Sequence, residues 1–273
     1  MQQVTIKLFA AMLWTLGSAA SMNVAIPGAA HAQSGAQQEV SRADLIRLLG
    51  RLHQEGEVRA DLSALGFAGE KLDLATQHAA DMLQDPVIAG YIADRVLAVR
   101  DGARVPIARA QGLLWSVIDQ GLGHLPLRDL RYYYLVEQAV LGGMSPSVCG
   151  RAVSGKLSPD RMAEETARVA ARLNVEGLRN YYRIQLRAAQ LGASRGPARM
   201  TQERAARAEA MIFDVLTRYI AARPDGAAVM RSFANLDKAS NRDACLAGRV
   251  FLEAVLTLEG RDLNEALIQL STP

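Results

Sequence analysis

The strongest constraint on this chain is a recurring start signal: a short polar residue followed by proline, each time leading into apolar residues spaced three and four apart. Asp85-Pro86, Ser145-Pro146 and Ser158-Pro159 have this form. The first residue offers an oxygen to the free N–H groups of a helix's first turn. Proline at the next position lacks only an N–H that would be unpaired anyway, and its fixed φ already suits a helix. Ser41 with Asp44, and Ser240 with Asp243, give two further starts of the capping-box kind. Pro106 and Pro126 open helices after short loops.

Between these signals the apolar residues fall in helical stripes. Leu45, Leu48, Leu49 and Leu52 make one stripe, and Met211, Ile212, Val215, Leu216, Tyr219 and Ile220 another. The spacing predicts about ten helices, near 42–54, 70–84, 87–100, 106–121, 127–141, 146–153, 159–172, 175–191, 202–222 and 241–258. Shorter helical pieces are expected at 226–234 and 262–270. No stretch alternates apolar and polar residues for long enough to argue a sheet. The expected fold is therefore all-α: a multi-helix globular or short solenoid-like domain.

The N-terminus carries an address. Lys7 precedes an apolar run from Leu8 to Leu16, and small residues then lead to Ala30-His31-Ala32. A charged start, a short apolar core and a small-x-small end form a secretory signal, with the cut expected after Ala32. The run is too short for a spanning helix, so no transmembrane anchor is expected after cleavage. Removing residues 1–32 from the 273-residue chain leaves 241 residues, enough for one large helical domain with a sizeable core. Residues 33–40 read as a flexible leader and 41–273 as the domain, with Gly192–Arg199 as a candidate hinge-like loop. The expected location is the periplasm or the exterior.

Export gives meaning to the only cysteines, Cys149 and Cys245. Two thiols in an oxidising compartment are expected to form one disulfide. Closing a loop of about 96 residues would stabilise the fold by as much as ~4–5 kcal/mol on the chain-entropy account.

One pattern recurs inside the chain. Leu125-Pro-Leu-Arg-Asp-Leu-Arg-Tyr-Tyr-Tyr134 and Leu173-Asn-Val-Glu-Gly-Leu-Arg-Asn-Tyr-Tyr182 share L-x-[LV]-x-x-L-R-x-Y-Y at an offset of 48 residues. That is about the length of a helix-pair repeat, although stable solenoids need three copies and no third is present. Chance similarity of two amphipathic helices and a duplicated helical hairpin both remain open.

Motifs for chemistry are sparse. Gly150-Arg-Ala-Val-Ser-Gly155-Lys156 fits the glycine-rich frame of a phosphate loop, but Leu157 stands where a Mg²⁺-binding Ser or Thr belongs. It is read as a coincidence. His53 lies at a helix end, and His124 sits in the loop Gly121–Pro126. His78 shares a helix face with Asp81 three residues on, most simply as a surface contact. No metal site or cofactor is expected, because one His and one Asp are too few ligands.

No complete catalytic constellation is present. Glu137, one turn after Tyr133 and Tyr134 in an otherwise apolar helix, is the carboxylate best placed for glycan cleavage. The plain alternative pairs it with Arg128 or Arg131 at the surface. Basic residues are lopsided, 27 Arg against 4 Lys, yet the net charge of +3 gives no case for nucleic acid. Arg179, Arg183 and Arg187 follow at four-residue spacing and form a stripe, and residues 179–207 hold seven arginines against one acid, Glu203. The guanidinium fork suits carboxylate and phosphate.

The expected function is an exported helical binding protein. Its partner would be an envelope protein or an anionic glycan or lipid head group, held at Arg179, Arg183 and Arg187. An envelope enzyme cleaving glycan or peptide, and a lipid carrier, are the alternatives. A deep cleft around Glu137 would favour the enzyme, and a shallow groove carrying the arginines would favour binding.

Overall fold

The computed structural model describes residues 41–52, 56–98 and 107–272, and these are all-helical, with no strand among them. Thirteen α-helices follow in order: α1 Arg42–Leu52, α2 Gly56–Ala64, α3 Glu70–Gln84, α4 Pro86–Ala98, α5 Ile107–Leu122, α6 Leu127–Gly143, α7 Pro146–Val153, α8 Pro159–Ala170, α9 Val175–Arg195, α10 Gln202–Ala221, α11 Gly226–Ala234, α12 Asn241–Leu256 and α13 Gly260–Leu270. The expected signal peptide, the leader, His53 and the Pro106 helix start lie outside the described residues. No described helix is long and apolar enough to cross a membrane.

The start signals act through the atoms that the sequence supplies. The side chains of Ser145, Ser158 and Ser240 accept from the backbone N–H of Val148, Arg161 and Asp243. Asp85 Oδ1 accepts from the N–H of Val87 and Ile88, at 2.9 and 3.0 Å. Of the thirteen helices only α2 has no counterpart in the sequence reading. It opens on Gly56.

One contiguous core runs from Leu49 in α1 to Leu270 in α13. Helices α1, α3 and α4 pack on one side of α5 and α9, while α6 joins this half to α12 and α13. The crossings that set the geometry are glycine contacts. A Cβ on Gly121 of α5 would lie 1.7 Å from the Ala188 carbonyl oxygen of α9, and one on Gly192 would lie 1.9 Å from the Val117 oxygen. Gly192 is therefore not part of a break. Helix α9 continues to Arg195 and ends at Gly196, whose φ of 69° places it in the left-handed region.

A second close crossing joins α7 to α12, where a Cβ on Gly150 would lie 1.9 Å from the Asn241 oxygen. Beside it Cys149 and Cys245 form a disulfide with Cα atoms 5.1 Å apart. The phosphate-loop resemblance dissolves at this point. Gly150 serves the helix contact, and Gly155 ends α7 at a φ of 67°. Lys156 donates its backbone N–H to Arg151 and its Nζ to the Asp237 carbonyl, the hydrogen-bond pattern of a glycine-capped helix end.

Helices α5–α6 and α8–α9 stand at the 48-residue offset of the repeated pattern, and their packing is reciprocal: α5 lies on α9 and α6 on α8. Equivalent residues have equivalent surroundings. Leu130 and Leu178 are fully buried, and Tyr133 stacks on its counterpart Tyr181 with ring centroids 5.9 Å apart.

Two outcomes follow. Gly121→Ala forces backbone apart from backbone and should cost at least ~2–3 kcal/mol. Gly142→Ala, with nothing within 4 Å of the added Cβ, should be neutral or stabilising by ~0.5–1 kcal/mol. Equal urea midpoints for the two variants would contradict the crossing. Reduction of Cys149–Cys245 should lower stability by up to ~4–5 kcal/mol, and free thiols in the purified oxidised protein would refute the bridge.

Candidate functional site

Helices α6 and α9 carry Glu137 and the three arginines, because each buries one stripe and turns another outward. In α9 the buried stripe is Leu178, Tyr181, Gln185, Ala188 and Gly192, while Arg179, Arg183 and Arg187 are exposed. Asn174 caps α9 by accepting from the Gly177 N–H at 2.7 Å, and Tyr132 of α6 donates to the Gly177 carbonyl at 3.0 Å. These contacts leave a shallow groove of ≈ 500 Å³ at the helix start, whose lining includes Tyr132, Asn174, Glu176, Arg179, Asn180 and Arg183.

The three arginines are not equivalent. Arg183 grips Asp129 of α6 with both guanidinium arms, at 2.7 and 3.0 Å, and also donates to Asn180 Oδ1 at 2.8 Å. Asp129 is buried, and its hydrogen bonds from Arg183 hold its carboxyl below the usual range. Arg179 makes one contact with Glu70 at 2.9 Å, and both side chains are more than half exposed. Arg187 is exposed one turn beyond the groove. Further along, Arg204 is held by two arms on Glu265, and Arg207 pairs with Glu203. The basic stretch is thus partly neutralised by acids from its own and neighbouring helices.

Glu137 faces inward and pairs with neither Arg128 nor Arg131. Helix geometry gives the reason: Arg128 precedes it by nine residues, about two and a half turns, and so lies on the opposite side. Arg128 instead approaches Asp129 at 3.5 Å. Glu137 sits one turn after Tyr133 on the face that buries Leu130, Tyr133, Tyr134 and Val140. There it accepts a hydrogen bond from Tyr133, and its charge reaches Asp119 of α5. Burial pushes Glu137 up to about 7, with the Tyr133 bond opposing the shift. Burial and then the charge of Glu137 hold Asp119 well above the carboxylate range. Like charges that feel each other away from water do not both ionise readily. Both residues are half-buried and keep surface at solvent.

An aromatic seam surrounds the acids. Tyr133 meets Tyr134 edge to face at 5.9 Å, and Tyr134 shares a hydrogen bond with Ser271 at 3.0 Å. At the far end His78 of α3 stacks on Tyr182 at 4.1 Å and donates from Nε2 to Gln185 Oε1 at 3.1 Å. It is not the surface partner of Asp81, which accepts from Gln77 instead. Burial lowers His78 to about 4, so its ring is neutral. The Tyr181 hydroxyl and the Gln185 Nε2 are buried without a hydrogen-bond partner. His124 ties two loops by donating to the Gly196 carbonyl at 3.0 Å. No group of three or more potential metal ligands occurs among the described residues.

Sequence reading singled out Glu137 and the arginines but missed Asp119, Tyr181 and Gln185. A signal for the last was present: Gln185 occupies the position equivalent to Glu137 at the 48-residue offset. Asp119 betrays itself only as an acid among Trp115, Val117, Ile118 and Leu122. The chain matches no protein-family model, no curated protein and no solved structure.

The buried groups give opposite pH signatures. Glu137 is raised, so its contribution is fully present below about 4.5 and is lost as pH rises through about 7. His78 is lowered, so its contribution is present above about 6.5 and is lost as pH falls through about 4. Glu137→Gln should therefore gain on the wild type as pH rises from 5 to 8, by up to ~3 kcal/mol. Urea midpoints that shift in parallel for the two proteins would show that Glu137 is ordinarily solvated.

Proposed function

We propose that this chain is an exported helical binding protein that receives an anionic envelope component on the outer face of α9, at Arg179 and Arg187. The groove of ≈ 500 Å³ beside Arg179 carries this reading. An exposed ion pair such as Arg179–Glu70 is worth only ~0–1 kcal/mol, so an incoming carboxylate or phosphate displaces Glu70 at little cost. It gains charge-assisted, bidentate hydrogen bonds in return. Arg187 presents a second cation two turns along the same face. Arg183 takes a different part: fixed on buried Asp129, it shapes the groove floor and is not free for a ligand. The Cys149–Cys245 bridge is compatible with the oxidising compartment that export implies.

Binding should be tested with phosphatidylglycerol vesicles and with polygalacturonate, representing the phosphate and carboxylate arms. Retention on at least one, weakening with added salt, is expected. Arg179→Ala with Arg187→Ala should weaken it by about tenfold, the loss of roughly 1.4 kcal/mol. Arg183→Ala should instead lower the unfolding temperature. No retention on either probe, or retention unchanged in the double variant, would overturn the proposal.

A further inference from the structure

Helix α10 packs on α11, α12 and α13 through one face, where Ala208, Ile212, Val215, Leu216 and Ile220 are buried. Its opposite face shares no residue with the groove on α9. There stands Phe213, 63% exposed and the most exposed large hydrophobic side chain among the described residues. At 3.6 residues per turn, exposed Ala206 and Ala210 and half-buried Thr217 fall within roughly 60° of it around the helix. The four form a narrow stripe, one aromatic ring beside positions small enough to receive another. The Thr217 hydroxyl is already engaged, donating to the Phe213 carbonyl at 2.8 Å, so covering the stripe strands no side-chain polar group.

The charges beside the stripe say what covers it. The four exposed charged side chains of α10 are Glu203, Arg207, Asp214 and Arg218, and all fall on one flank, within about 60° of one another. They alternate in sign along the helix and pair within it as Arg207–Glu203 and Arg218–Asp214. Each of these side chains is more than half exposed, so both pairs are weak ones. Reversing the helix about the midpoint between Ala210 and Met211 carries Arg207 onto Asp214 and Glu203 onto Arg218. The flank is therefore its own complement. In an antiparallel pair of identical helices the same flank of each faces the other, and every acid meets an arginine. A parallel pair would set like charge on like. The same reversal lays Phe213 of one copy between Ala206 and Ala210 of the other.

We propose that the outer face of α10 is an interface between two copies of this chain, related by a two-fold axis near Ala210, with Phe213 of each copy seated between Ala206 and Ala210 of the other. A two-fold contact requires a patch that matches itself, and this one does so in side-chain size and in charge. A membrane surface is the poorer match, because the flank carries two acids and no net charge, and Phe213 is the one large apolar side chain on the stripe. The contact is a single helix wide, far narrower than a permanent dimer interface, so association is weak and depends on concentration. The charged pairs set its direction and register more than its strength.

Sedimentation equilibrium of the purified oxidised protein should show a mean mass that rises from monomer toward dimer with concentration. Phe213→Ala should weaken association by at least about tenfold without lowering the unfolding temperature, since the ring is exposed. Asp214→Arg alone should weaken association by setting two arginines face to face, and adding Arg207→Asp should restore it. That recovery is specific, because both exchanges break the pairs within the helix and only pairing between copies is regained. Ala210→Cys should oxidise to a covalent dimer, and Ala206→Cys, far from the axis, should not. A mass that stays monomeric to millimolar concentration, association indifferent to Phe213→Ala, a double exchange no better than Asp214→Arg alone, or equal cross-linking at the two cysteine positions would overturn the interface. Retention on phosphatidylcholine vesicles that requires Phe213 in a monomeric protein would also overturn it, assigning the face to a lipid surface.

Discussion

Where α5 crosses α9 there is no room for a methyl group. The Gly121 and Gly192 backbones lie against carbonyl oxygens of the opposite helix, and this contact fixes the rotation of both helices about their axes. With Gly121 held against Ala188, Asp119 half a turn earlier stands where the charge of Glu137 on α6 reaches it. With Gly192 held against Val117, the Tyr181 and Gln185 side chains three and two turns earlier face the same interior. A Cβ at either glycine would push the helices apart and separate the acids from the aromatic groups around them. The chemistry of the interior is therefore a consequence of two missing side-chain atoms.

Reciprocal packing of α5–α6 and α8–α9 creates equivalent positions, and the sequence fills them unequally. Tyr133 and Tyr181 preserve the equivalence and stack on each other. Glu137 and Gln185 break it. Gln185 receives a neutral partner, the Nε2–H of His78. Glu137 receives Asp119 and becomes one half of an acidic pair. Burying two carboxyls where an amide sits in the sister position is costly by the ordinary rules of desolvation. A fold seldom carries such a cost in its centre without use for it, and perturbed acids of this kind concentrate at functional sites.

Local physics made the fold legible and long-range physics made parts of the site invisible. Caps and apolar spacing are written within four residues of where they act, which is why the starts at Ser145, Ser158 and Ser240 stand where their oxygens predict. Glycine is the ambiguous letter. Gly192 reads as a break because the sequence around it is Gly, Ala, Ser and Pro, yet its reason is an oxygen 75 residues away in α5. Glu137 was visible as an acid on an apolar face, and nine residues of helix sufficed to place Arg128 behind it. Asp119 was not visible, since nothing local says which of two helices an acid will face.

Helix α9 separates the exposed arginines from the aromatic and acidic interior. Its 3.6-residue period sends Arg179 and Arg187 outward and Tyr181 and Gln185 inward, so opposite faces of one helix, about 10 Å across, confront opposite chemistries. At that separation the outer cations ease ionisation of the acids only slightly in physiological salt, because the distance is already about one Debye length. The acids must then find their counter-charge locally, and the nearest fixed cation on α9 does not serve. Arg183 is already held by two arms on Asp129, whose own burial demands it. The division is thus enforced by bookkeeping of charge: each buried acid on α6 takes what its own face offers, Asp129 an arginine and Glu137 a tyrosine and another acid. Among the described residues no arginine or lysine forms an ion pair with Glu137 or Asp119, in contrast to Asp129.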